Sequence, residues 1–165
     1  MQSIDLIRQN LEQSRDRVLV RVEEMREHCF VFPTPHGGGH TLWVLGHLAY
    51  IEGDVTRRFM QGLENPLAHW ESVFDGADTS GDPGDFPPFD EVLAACRDAR
   101  RATLDLLGSM SESDLDETSV KAPEGFEYLF GTRRHCFQFV ADHWYMHRGQ
   151  LADARRAARI ERMWF

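Results

Sequence analysis

One stretch of the chain reads His143-Trp144-Tyr145-Met146-His147. If it is helical, residues four apart differ by about 40° in direction and about 6 Å in height, so both imidazoles can converge on one ion. Spacing alone is weak ground, because the chain has eight histidines and a second pair at the same separation, His36 and His40. Three glycines separate those two, so they cannot be a helical pair. The periodic face is more telling. In helical steps from His143 the same side carries Cys136, Val140, His147, Leu151 and Ala154, which are core types. Both histidines should therefore point inward.

His47, among Val44, Leu48 and Ile51, is a third inward histidine on an earlier segment. Imidazoles buried together are costly unless something uses their lone pairs, and a divalent ion does so. Three of them match a catalytic zinc or nickel shell that keeps a further position for water or substrate. The alternative is three separate core histidines, each bonded to a backbone carbonyl.

Several neighbours bear on this site. Gln150, seven beyond His143, lies close to the inward stripe and could steady a ligand or donate to a substrate. Arg148 could hold an anion or form an ordinary surface ion pair. Glu52, five after His47 and on a different face, is a candidate to support a ligand ring. Asp142 points about 100° away from His143 and reads as a surface or inter-helix charge. His135 lies about 80° off the ligand face. Trp144 and Tyr145 read as packing groups.

The elements that must position these groups are helices. The first runs from about Ser3 to His28, with Ser3 as N-cap, and carries the stripe Ile4, Ile7, Leu11, Val18, Val22 and Met25. It stops before Pro33-Thr34-Pro35-His36-Gly37-Gly38-Gly39. The second starts near Thr41, a good capping type, and reaches about Gln61, with Val44, His47 or Leu48, Ile51, Val55 and Phe59 on one face. A turn-rich connection of about 25 residues follows, containing Asp75-Gly76, Ser80-Gly81 and Pro87-Pro88. The third helix spans about Phe89 to Leu107. A single turn at Ser111 to Leu115 has Asp114 answering Ser111 in a capping box. The fourth runs from about Thr132 to Ala158. No segment reads as a strand. The pattern predicts an all-α fold in one domain, residues 1–165: a four-helix bundle, up-down-down-up, with the long link as the crossover between the second and third helices.

Composition narrows the function classes. The formal net charge of -9 argues against a nucleic-acid surface. A short basic cluster, Arg155, Arg156 and Arg159, falls at a helix end, where cations complement the macrodipole. No apolar run approaches a membrane span, and no basic start with an apolar core reads as a signal peptide, so the expected location is the cytoplasm. Cys29, Cys96 and Cys136 include no Cys-x-x-Cys pair and read as small buried hydrophobes. His36-Gly37-Gly38-Gly39 matches an esterase oxyanion-hole motif, but no Gly-x-Ser-x-Gly elbow accompanies it. No paired Glu-x-x-His motifs suggest a di-iron bundle.

Trp43-x-Leu45-x-His47-Leu48, together with His143-x-x-x-His147-Arg148-Gly149-Gln150-Leu151, resembles the DinB superfamily. The likeness extends to Phe89-Asp90-Glu91-Val92-Leu93 and Ser111-Glu112-Ser113-Asp114-Leu115 and covers essentially the whole chain. It implies an up-down-down-up bundle, a divalent metal on His47, His143 and His147, and often a homodimer. Relatives include transferases and isomerases that use a low-molecular-weight thiol on a small molecule.

Such a metal could hold a thiol as thiolate, ready to attack an electrophile. It could instead lower the pKa of a bound water and support hydrolysis. In peptidases of the His-Glu-x-x-His type a glutamate beside the first histidine is the base. Here that position is Trp144, which tilts the choice towards thiol chemistry. A non-catalytic metal-bearing stress-response module is the third possibility.

Overall fold

The computed structural model describes residues 2–76, 79 and 81–161, and every regular element among them is helical. The expected turn at Ser80-Gly81 lies partly outside these residues. The first helix, α1 (Ser3–Glu24), buries Ile7, Leu11, Val18 and Val22, the expected stripe. Its cap differs from expectation. Gln2 takes the cap position, with its N–H donating to the Asp5 carboxylate at 3.1 Å. Ser3 is the first helical residue, and the N–H groups of Ser3 and Ile4 donate to Glu112 at 3.3 and 3.0 Å. A carboxylate remote in sequence thus serves the positive end of the helix.

The second helix, α2 (Thr41–Gly53), runs on through a π-helical turn, Asp54–Phe59. His40 caps it, not Thr41: the His40 Nδ1 accepts from the Trp43 N–H at 3.1 Å. A neutral imidazole nitrogen serves there as an Asn oxygen would. The expected single apolar face is also corrected. Leu42, Trp43, Val44, Leu45, Leu48, Ala49 and Tyr50 are all buried, so α2 is apolar nearly all round. Such a helix belongs in the interior. Its only half-buried residues are His47 and Ile51.

The long connection is more than a loop. A 3₁₀ turn, Ala68–Trp70, leads into α3 (Glu71–Phe74), and a second turn spans Pro83–Asp85. Trp70 and Phe74 enter the core, with Phe74 fully buried. Beyond it lies α4 (Phe89–Gly108). Ser111 and Asp114 form the expected box, the Ser111 N–H donating to the Asp114 carboxylate at 2.7 Å. Then come α5 (Glu127–Phe130) and α6 (Arg133–Ala157), whose start is capped by the Thr132 hydroxyl.

α1 packs mainly on α6, and α2 on α4, while α2 also meets α6. The starts of α1 and α6 meet the segment after α4 where Arg134 bonds Ser3 and Asp116 and Glu112 caps α1. The end of the π turn joins them there, since the Phe59 carbonyl accepts from the Lys121 N–H at 2.9 Å. At the opposite end Arg97 pairs with Glu23 and Arg155 with Glu24, each at 2.7 Å. The last pair corrects the simple reading of the basic cluster. Arg155 is buried and tied to α1, and its Nη2 also donates to the Glu161 carbonyl.

Candidate metal centre

The contact between α2 and α6 brings His47, His143 and His147 together, and one nitrogen from each ring lies within 4.8 Å of the others. The Nε2 of His143 stands 3.2 Å from that of His47 and 3.0 Å from that of His147. These are the only candidate metal-binding groups of three or more such residues among those described.

The outer nitrogens decide what the inner ones can do. The Nδ1–H of His47 donates to the Phe74 carbonyl at 2.6 Å, and that of His147 to the Gln150 Oε1 at 2.8 Å. With the proton held at Nδ1, each Nε2 presents a lone pair to the common point. One Nε2–H on His143 could satisfy only one of those two lone pairs, so in the metal-free protein the cluster leaves at least one unsatisfied. Two nitrogens about 2.0–2.1 Å from one ion at a near-tetrahedral angle stand roughly 3.3 Å apart, close to the separations here. The donor set therefore fits a divalent ion of the zinc or nickel kind, and the outer hydrogen bonds are of the type that orients ligating histidines.

Packing holds the rings in place. The Trp43 ring stacks on His47 at 4.5 Å with 13° between planes, and Phe139 stacks on His143 at 5.4 Å and 16°. Each aromatic lies one turn before the histidine it covers, which is where helical side chains meet. Burial is the main cause holding all three imidazoles below their usual range. His143 is pushed down to about 2, with repulsion from His147 and His47 adding to burial. His147 falls to about 4, where burial and His47 outweigh the Gln150 hydrogen bond. His47 is lowered too, against the pull of the Phe74 carbonyl and Asp75. Near neutral pH the rings are uncharged, the state that ligates.

The structure sorts the remaining candidates. Gln150 reaches a ring, as its place near the inward stripe allows. Glu52 does not: it is buried and bonded to Arg100 and Trp144. The reason is rotation along α2, which turns residue 52 away from residue 47. Arg148 makes no bond to the rings, and its Nε is buried with no hydrogen-bond acceptor. Asp142 is exposed and accepts from Gln138, and His135 is exposed. Cys96 and Cys136 are buried, and burial pushes both thiols up, Cys136 to about 11.

The sequence reading missed the Phe74 carbonyl and the stacking of Trp43 and Phe139 on the ligand rings. The two aromatics were legible from their position four residues before a candidate ligand. The carbonyl was not, because it comes from a segment that reads as turns.

An all-helical chain with three inward histidines, one on α2 and two on α6, defines the class. Residues 10–151 match the DinB superfamily, and the chain belongs to that superfamily. No curated protein matches it in sequence. Among solved structures it is similar to a conserved protein from Enterococcus faecalis, with 18% identity and a TM-score of 0.61, covering 98% of this chain and 99% of that one. That likeness speaks to the fold.

Proposed function

We propose that this protein is a divalent-metal-dependent enzyme that activates a low-molecular-weight thiol for transfer to, or isomerisation of, a small electrophile. The observation that carries the reading is the convergence of three Nε2 atoms, two of them on rings with a hydrogen bond at Nδ1. A bound ion would supply a Lewis acid that keeps a coordinated thiol deprotonated at neutral pH. The chain's own residues supply the rest. His47, His143 and His147 hold the ion, Gln150 and the Phe74 carbonyl orient two of the rings, and Trp43 and Phe139 cover two ring faces. Among the described residues no carboxylate or amine hydrogen-bonds these rings. Trp144, at the place of a peptidase base, is fully buried and donates to Glu52. Attack by a thiolate needs no such base, which is what favours it over hydrolysis of a small molecule; a non-catalytic metal-bearing module is the alternative.

The finer expectations belong to the same proposal. The meeting of helix ends supports an up-down-down-up bundle with the Gly62-to-Pro88 link as crossover. No helix among the described residues is long and apolar enough to cross a membrane. With the net charge of -9, that supports a cytoplasmic protein with a small-molecule substrate and no nucleic-acid partner. The family resemblance supports a homodimer.

The test is a stability and turnover screen of zinc and nickel against common small thiols with model electrophiles. A ligand that binds only the folded state at 100 times its Kd adds about 2.7 kcal/mol. We expect zinc or nickel to stabilise the wild type on that scale, His143→Ala to abolish the effect, and one thiol to support turnover only with metal. Metal binding without turnover by any thiol would sink the transferase reading. No stabilisation by any divalent metal would sink the metal centre itself.

A further inference from the structure

We propose that Gly46 is a positioning residue for the metal centre, acting through Phe74 on His47. The proposal rests on the reading of the three histidines as ligands. Gly46 sits inside α2, where glycine is ordinarily inferior to alanine because it loses more backbone freedom. The space around it explains the glycine. A Cβ at residue 46 would lie 2.3 Å from Phe74 Cε1, 2.4 Å from Cζ and 2.5 Å from Cδ1. The ring lies directly on the helix backbone, and a single methyl would displace it.

That ring cannot move independently of the centre. Phe74 is fully buried, with Trp70 at 5.1 Å and Phe86 at 6.0 Å between ring centroids. Its carbonyl is the last one of α3 and is the acceptor for the His47 Nδ1–H. The seat of the side chain and the place of the carbonyl belong to one residue, so lifting the ring off Gly46 draws the acceptor away from Nδ1. The imidazole then loses the bond that fixes its tautomer and turns its Nε2 towards His143. Outer partners of this kind are worth about 10–100-fold in metal affinity.

Two measurements test this, zinc affinity by calorimetry and the His47 Nδ1–H resonance in metal-free protein. Gly46→Ala should weaken zinc binding about 10–100-fold and abolish or shift the resonance, although alanine is the better helix former. In Gly46→Ala/Phe74→Leu the alanine methyl takes space vacated by the ring, so the double variant should bind zinc more tightly than either single variant. Gly46→Ala with wild-type affinity and an unchanged resonance would overturn the proposal. If Gly46→Ala does not fold, the comparison of the double variant with Phe74→Leu decides, and equal or weaker binding by the double variant overturns it. Should the wild type bind no zinc, the metal reading falls by itself, and the resonance in metal-free Gly46→Ala still decides whether Gly46 orients His47.

Discussion

Two buried polar clusters of this protein draw on both α2 and α6. In the first, the Arg100 Nε and Nη2 donate to the two Glu52 oxygens at 2.8 and 3.0 Å, and Nη1 donates to the Leu11 carbonyl at 2.6 Å and the Ser14 hydroxyl at 3.1 Å. The Trp144 Nε1–H donates to Glu52 at 2.8 Å, and the guanidinium lies 4.0 Å from the centre of the Trp144 ring. Every polar atom of these three side chains has a protein partner, and α1, α2, α4 and α6 all contribute. In the second cluster the histidines satisfy two outer nitrogens and leave three inner ones facing one another. The closed cluster specifies how the helices fit together, while the open one has capacity reserved for something else. Buried polarity signals a ligand only where the protein leaves it unfinished.

The contrast can be broken most forcefully at Arg100. Arg100→Met leaves the Glu52 carboxylate buried without its cation and should cost about 3–5 kcal/mol in urea unfolding. A loss below about 1 kcal/mol would mean that Glu52 finds other compensation and the cluster is not closed. At the open cluster the effect should appear in binding. Gln150→Leu removes the acceptor for His147 Nδ1 and should weaken zinc binding about 10–100-fold while leaving metal-free stability close to wild type. An unchanged zinc affinity would mean that the Gln150 bond does not orient the ring.

His40 offers a smaller test. It is a buried imidazole whose Nδ1 caps α2, and burial pushes it down to about 4, against the opposing pull of the Cys29 carbonyl. In the unfolded chain the ring titrates near 6.5, so as pH falls from there to about 4 the unfolded state binds the proton and the folded state does not. The contribution is present above about pH 6.5 and is lost towards pH 4. His40→Asn keeps a capping acceptor and removes the titration. The stability of wild type relative to that variant should therefore fall by about 1–2 kcal/mol between pH 7 and pH 5, and a flat difference would contradict the assignment. The smallest effect is expected from His143→Leu in metal-free protein, within about 1 kcal/mol of wild type, because it removes a desolvated imidazole bonded only to other histidine rings. A loss as large as that of Arg100→Met would show that the histidines are a structural cluster after all.

The helices were legible because their apolar residues recur with the helical period, and the three histidines because they fall on those apolar faces. The starts of α4 and α6 lie just after Pro88 and Thr132, as the sequence suggests. The caps of α1 and α2 were misread, since residue type favours Ser3 and Thr41, whereas the fold brings Glu112 and the His40 ring to those helix ends. Arg100 escaped notice because an arginine on a helix reads as surface until a buried carboxylate is known to face it. Glu52 was singled out, yet for the wrong partner.

By itself the sequence determined the inward stripe of α1 and the inward placing of three histidines on α2 and α6, because periodicity acts within a single element and needs no knowledge of its neighbours. That was enough to select His47, His143 and His147 from eight histidines. Only the tertiary structure decided that their Nε2 atoms meet, that Phe74 returns from the long connection to hold one ring, and that Glu52 belongs to Arg100. Those outcomes depend on the register between helices and on where a backbone carbonyl comes to rest, and both are set by packing between segments far apart in the chain.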